Sequence, residues 1–348
     1  MKKIIAKIDL QAIQNNAKFF REKTRVKLCA VVKADAYGHG AEEVVASLSN
    51  IADCFAVSLY SEAISIRAVA CGKEILILTP PTCEEEILAC ARNGFSITVP
   101  DLHTAKLVVK TIRTYHVCVQ VHLKGNVGMN RYGSNASWLG RICRYLQQEN
   151  GVHVCGFYSH LYTTEKQSAM RARACFLQMQ KVVLRYYQNA ICHLSATYAS
   201  MLGKEFAFDM VRIGLGLYGY FPKSDVNALP LQKAMRVYAP VMLSRKYSFG
   251  GAGYGEERVN IQKGDYLHVL RFGYADGFFR KKENGANGCQ SCVNTLCMDA
   301  NVRKGKAKKN EWICVMQDAE ETAKIAKTIP YEILCAIVKR AERTYDYE

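Results

Sequence analysis

LCAVVKADAYGHG, residues 28–40, places a lone lysine at the end of an apolar run. Leu28, Cys29, Ala30, Val31 and Val32 do not alternate with polar side chains, the pattern of a strand covered on both faces in a parallel sheet. The chain thus delivers Lys33 to the rim of something buried, ahead of Tyr37, Gly38, His39 and Gly40. A lysine stem lying along apolar surface with its head in water accounts for this placement. So does an amine that forms a Schiff base with a carbonyl cofactor or substrate.

Similar runs recur near 27–33, 54–60, 74–80, 95–99, 116–124, 152–160, 191–196 and 209–213. Helical patterns fill the gaps, one behind Ser61 as N-cap, one behind Thr82, and a long one over about 165–188. Eight strand–helix units predict an α/β fold with a (β/α)8 TIM-type barrel. A doubly wound open sheet is the competitor, but no GxGxxG follows the first strand. Past Leu229-Pro230 the stretches become short and alternating, as in LHVLRFGYADG, and read as mostly β. The expected organisation is a barrel domain over residues 1–231 and a C-terminal β-rich domain over 232–348, with strand 3–9 pairing with the second.

Of 348 residues, 49% are hydrophobic and 22% charged, an ordinary globular balance. No run of eighteen apolar residues would span a membrane. MKKIIAKIDL has no signal-peptide core, so a cytoplasmic location is expected. Fifteen scattered cysteines then read as reduced thiols and not as a disulfide framework. Cys289-x-x-Cys292 with Cys297 nearby lacks a second pair or a local histidine, so no metal is expected. The net charge of +16 would suit a nucleic-acid binder, but the basic residues are spread out and no such motif accompanies them. An anionic cofactor or substrate explains the excess as well.

In a barrel, reacting groups belong at the carboxyl ends of the strands. Lys33 would end the first barrel strand, Arg131 follow the fifth in VHLKGNVGMNRYG, and His160 end the sixth in VCGFYSH. Ser195 and Thr197 would follow the seventh, and Arg212, Gly214 and Gly216 the eighth, where barrels commonly bind phosphate.

With these residues in place, the chain resembles the alanine racemases, pyridoxal-phosphate enzymes of fold-type III with a barrel and a β-domain. The resemblance rests on VVKADAYGHG, VGMNRYG, MVRIGLGLYG, GYG at 253–255, GYADG at 273–277, CMD at 297–299 and IPYEILC at 329–335, in the family's order. It implies that Lys33 carries pyridoxal 5'-phosphate and that Tyr37, Thr197, the backbone at Gly214, and Tyr331 hold the phosphate. It implies further that Arg212 faces the pyridine nitrogen and Arg131 the phenolic oxygen, with Lys124 at a position often carbamylated in the family. Tyr254 would be the second base, delivered by the partner of a homodimer with shared active sites, and His160 would be linked to it. Tyr274 and Met298 would meet the substrate carboxylate, together with Arg131. Racemisation needs two groups flanking a planar carbanion, and lysine with tyrosine serves once both are tuned by burial or cationic neighbours.

The implied function is interconversion of L- and D-alanine, supplying D-alanine for peptidoglycan, with no nucleic-acid or membrane partner. Alternatives are a serine or broad-specificity racemase, a fold-type III decarboxylase, and a non-catalytic pyridoxal-phosphate-binding protein. The chain departs from the family's pattern at Asn126-Val127, Ala196, Glu256 and Asn294-Thr295, which bears on substrate preference and turnover.

Overall fold

The computed structural model describes residues 2–222, 229–250, 261–279 and 296–346. The chain divides into two compact units, one of residues 14–36 and 41–231, the other of residues 1–13, 37–40 and 232–348.

The first unit is the barrel. Its strands, after an initial β1 (Ile5–Asp9) that belongs to the other unit, are β2 (Lys27–Val31), β3 (Cys54–Val57), β4 (Glu74–Ile77) and β5 (Ser96–Val99). They continue with β6 (Val119–Lys124), β7 (Val152–Tyr158), β8 (Ile191–His193) and β9 (Met210–Ile213). All pair in parallel in the order β8-β7-β6-β5-β4-β3-β2-β9. The ring closes where Ala196 bridges Arg212 and the Asp209 amide donates to the Cys192 carbonyl at 3.0 Å. β3 and β5 are buried at every position, because helices cover the outer face while side chains fill the inner one.

The helices start where short polar side chains can take their first amides. Asp101 caps Leu102–Tyr115 through the Thr104 amide, and Asn135 caps Ala136–Leu146 through the Trp138 amide, each worth about 1 kcal/mol. The helix expected behind Ser61 instead starts two residues earlier, over Tyr60–Ile66, with Leu59 as N-cap. Glu62 sets that start by reaching back to the amides of Ser58 and Leu59. The helix expected behind Thr82 spans Glu84–Arg92, with Cys83 as N-cap. The long one runs over Lys166–Leu184 behind Glu165.

The second unit is built on one long strand, β10 (Met235–Lys246). β1 lies between β10 and β14 (Glu342–Asp346), antiparallel to the first and parallel to the second. β11 (Tyr266–Leu270) continues the sheet from the far half of β10, followed by β12 (Asn301–Lys304), while β13 (Trp312–Met316) also pairs with β10. Register shifts flank Pro240, which cannot donate to a ladder. The unit is not purely β: Ala319–Ala326 and Pro330–Ala336 are helices, and the second carries most of IPYEILC.

Candidate active site

Lys33 lies two residues beyond the end of β2, not on it. The strand stops at Val31 because the backbone then winds the other way: Ala34, Asp35, Ala36 and Tyr37 all have φ between 51° and 53°. A left-handed turn of non-glycine residues costs about 1–2 kcal/mol per residue, so it must be held from outside. Glu62 Oε1 accepts the Ala34 amide at 2.7 Å, the Ala36 amide donates to the Val32 carbonyl at 2.9 Å, and Asp35 Oδ1 accepts the Ala41 amide at 2.7 Å. The apolar pattern runs on through Val32, which is why the sequence suggests a strand reaching Lys33.

Arg212 lies within β9 and is buried inside the barrel. Its Nη1 meets His193 Nδ1 at 2.8 Å and the His193 carbonyl at 3.0 Å. Its Nη2 donates to the carbonyls of Ser159 at 2.7 Å and Leu194 at 3.1 Å. From His193 the contacts run across the barrel: His193 Nε2 to His122 Nδ1 at 3.0 Å, and His122 Nε2 to Glu74 Oε1 at 2.8 Å. Ser96 Oγ also donates to Glu74 Oε1, at 2.6 Å. Gly156, opposite His122 in β7, makes room for that ring; a Cβ there would come within 2.4 Å of Nδ1. Burial alone would raise the Glu74 carboxyl, but the hydrogen bond and charge of His122 and the Ser96 hydroxyl bring it down to about 2.

Tyr158 stacks on His193 with ring centroids 4.9 Å apart, and its hydroxyl pairs with Thr98 Oγ1 at 2.8 Å. Lys124, at the end of β6, sets its Nζ 4.2 Å from the centre of that ring. Burial, then Arg212 and Arg131, push the Lys124 amine well below the ordinary lysine range. His160 falls to about 3 through burial and the cations of Arg212, Lys124, Arg131 and Lys33. Four basic side chains therefore surround one neutral imidazole. No described carboxylate forms an ion pair with Lys124, Arg131 or Arg212.

Arg131 sits on a loop folded back over Lys124: the Ser134 amide donates to the Lys124 carbonyl and the Asn126 amide to the Ser134 carbonyl, both at 3.0 Å. Asn126, one of the departures from the family's pattern, takes the amides of Gly128 at 2.9 Å and Asn130 at 3.2 Å on its side-chain oxygen. Beyond β8, Thr197 is buried and its Oγ1 accepts the Gly216 amide at 3.2 Å. A Cβ on Gly216 would lie 2.5 Å from the Phe20 ring and 2.9 Å from Thr197, so position 216 is open only to glycine. Lys124, Arg131 and Arg212, with no described carboxylate paired to them, a hydroxyl and a bare backbone fit an anionic, phosphorylated group.

In the other unit, Tyr37 and Tyr331 lie with ring centroids 5.9 Å apart. Burial raises both phenols, and Tyr331 and Cys335 raise Tyr37 further, so both stay protonated donors. GYADG and CMD are joined: the Tyr274 amide donates to the Cys297 carbonyl at 3.1 Å and the Ala275 amide to the Met298 carbonyl at 3.0 Å. Tyr274 and Met298 are exposed, at 38% and 51%. Tyr254, Glu256, Cys289, Cys292 and Asn294-Thr295 lie outside the described residues. Among the described residues no cluster of His, Cys, Asp or Glu could hold a metal, and no helix is long and apolar enough to cross a membrane.

The barrel therefore brings together Lys33, Lys124, Arg131, His160 and Arg212, and sets Thr197 against Gly216, two residues past Gly214. Sequence reading alone missed Glu62, Glu74, His122 and Tyr158. The acidic residue three positions after Leu59 is a helix-start signal that could have exposed Glu62. Nothing in the one-dimensional pattern links Glu74, His122 and His193, which meet only through barrel register.

Residues 8–222 match the family described as alanine racemase, N-terminal domain, and residues 234–345 the alanine racemase C-terminal domain. The alanine racemase of Lactobacillus delbrueckii subsp. bulgaricus is 30% identical, over 98% of this chain and 97% of its own length. Among solved structures, the alanine racemase of Clostridium difficile 630 aligns with a TM-score of 0.90 at 27% identity, covering 100% of this chain and 96% of the other. That of Bartonella henselae, with covalently bound pyridoxal phosphate, aligns with a TM-score of 0.85 at 25% identity, over 99% and 100% of the two chains. With both domain families matched along almost its full length, on a barrel whose rim carries the motif lysine, the chain belongs to the alanine racemase family.

Proposed function

We propose that this chain is a pyridoxal-phosphate-dependent racemase that interconverts L- and D-alanine. The observation that carries the reading is the rim cluster: Lys33 beside Lys124, Arg131, Arg212 and a neutral His160. Such a site attracts an anionic cofactor and lowers the proton affinity of amines placed in it.

Lys33 would hold the cofactor, Thr197 and the backbone at Gly214 would receive its phosphate, and Arg212 would face its pyridine nitrogen. When bound, the cofactor supplies an electron-withdrawing ring that acidifies the substrate Cα–H bond. The remaining work falls to side chains. Lys33 Nζ takes or returns a proton at Cα on one face, and Tyr254 Oη does the same on the other, a division that general acid–base catalysis rewards by about 10²–10⁴-fold per group. His160, neutral near pH 7, can exchange a hydrogen bond without adding a charge. Arg212 does not readily give up its proton, so the group it faces accepts a hydrogen bond and stays unprotonated. That limits electron withdrawal by the ring and favours quick return of the proton over side reactions. Arg131 orients the substrate carboxylate and the phenolic oxygen, braced by a carbamylated Lys124.

The full catalytic unit would be a homodimer, each site taking Tyr254, Tyr274 and Met298 from the partner subunit. Conversion of L-alanine to D-alanine by purified protein with added pyridoxal phosphate, followed by chiral separation, tests the reading. Equal or faster turnover of serine would favour the broad-specificity alternative. Absence of turnover, with cofactor still fixed to Lys33 by borohydride, would leave a cofactor-carrying protein.

A further inference from the structure

One carboxylate in the barrel unit fastens two rim loops that are separate in sequence. Glu62 Oε2 accepts the amides of Ser58 at 2.7 Å and Leu59 at 3.1 Å, while Oε1 accepts the amide of Ala34 at 2.7 Å. The first pair is the ordinary reach of an acidic residue back over the start of its own helix. The third bond has no part in that helix. It lands on the peptide directly following Lys33, the first of the left-handed turn.

The far end of the turn has other anchors, the Ala36–Val32 backbone bond and the Asp35–Ala41 contact. For the amide of Ala34, Glu62 is the partner. An ionised carboxylate accepts on both oxygens, so it can serve the helix start and the lysine turn together. An amide side chain has one accepting oxygen and can serve only one of them well.

We propose that Glu62 is a positioning residue for Lys33, pinning the Lys33–Ala34 peptide so that the amine keeps one position whether or not it carries the cofactor. This rests on the reading of Lys33 as the cofactor lysine. If the bond is lost, the strained residues can relax toward ordinary backbone conformations and the amine loses its aim.

The test compares full-length Glu62→Ala and Glu62→Gln with Ser65→Gly, which weakens the same helix at an exposed position but keeps the carboxylate. Each protein is titrated with pyridoxal phosphate and reduced with borohydride. Peptide mass spectrometry then measures the labelled fraction of Lys33, and thermal midpoints are recorded alongside. Ser65→Gly should label at the wild-type cofactor concentration, whereas Glu62→Ala should need about tenfold more, the worth of one hydrogen bond to a charged group. Glu62→Gln should fall between them, and it carries the comparison alone if the alanine variant does not fold. Labelling of both Glu62 variants at the Ser65→Gly concentration would reduce Glu62 to a helix start and overturn the proposal. Labelling of a different lysine in the wild type would overturn the reading of Lys33, and the role of Glu62 with it; that failure shows in the wild type alone.

Discussion

Nη1 of Arg212 lies 2.8 Å from Nδ1 of His193, and this contact fixes the protons of the barrel interior. A guanidinium only donates, so Nδ1 accepts and the His193 proton sits on Nε2. Nε2 then donates to His122 Nδ1, the His122 proton sits on Nε2, and Glu74 accepts it. Burial, then the Arg212 cation, hold His193 well below the ordinary histidine range, which keeps it neutral. The row runs one way, from arginine to carboxylate.

Replacing His193 with Phe should break that row at its centre and leave Arg212 and His122 each short of a buried partner. The expected loss is about 2–4 kcal/mol in urea unfolding, since each orphaned buried group costs roughly 1–3 kcal/mol. A loss below about 0.5 kcal/mol, the range of ordinary surface changes, would show that the row carries no such weight.

Glu74 gives the row a pH signature. Its carboxyl titrates near 2 in the folded chain against 4.5 ordinarily, so its contribution is present above about 4.5 and fades as pH falls toward 2. At about 1.4 kcal/mol per unit, discounted for partial exposure, this amounts to roughly 2 kcal/mol. The gap in unfolding free energy between wild type and Glu74→Gln should be near that value at pH 6 and shrink below pH 4. A gap that does not depend on pH would refute it.

Lys124 is a buried amine held toward its neutral form, with two arginines and no described carboxylate opposite. A neutral amine adds carbon dioxide, releasing one proton and leaving a carbamate, and here the new anion would meet waiting cations. Protein incubated with ¹³C-bicarbonate should show a carbamate carbonyl resonance that Lys124→Ala abolishes. Persistence of the resonance in the variant would place it elsewhere.

The shared site can be tested by mixing. Lys33→Ala and Tyr254→Phe chains, each inactive alone, should recover roughly a quarter of wild-type activity after exchange, because about half the dimers are mixed and each has one intact site. No recovery despite demonstrated exchange would assign both bases to one chain.

The barrel was legible because its strands are unbroken apolar runs, and the rim because lysine, arginine and histidine follow those runs. The exact end of β2 was not, since Val32 is as apolar as the strand before it although the strand has already ended, two residues ahead of the left-handed turn that begins at Ala34. The Tyr60 helix start was hidden by a hydroxyl at Ser61 that does no capping. The helix Pro330–Ala336 sits in a stretch whose surroundings read as β. The Glu74–His122–His193 row depends on which side chains of β4, β6 and β8 share a layer, and that follows from barrel register, not from spacing along the chain.

The seam between β8 and β9 is the thinnest part of the ring. β8 has three residues, and Asp209 and Arg212 do the joining. Thr197, Arg212 and Gly214, on or next to this seam, are proposed members of the cofactor site. A cofactor bound there at a hundred times its dissociation constant adds about 2.7 kcal/mol against any opening that releases it. Local opening at the seam would expose the empty chain to proteases at 191–213 first. The cofactor concentration would then set how long the protein survives as well as how much of it is active.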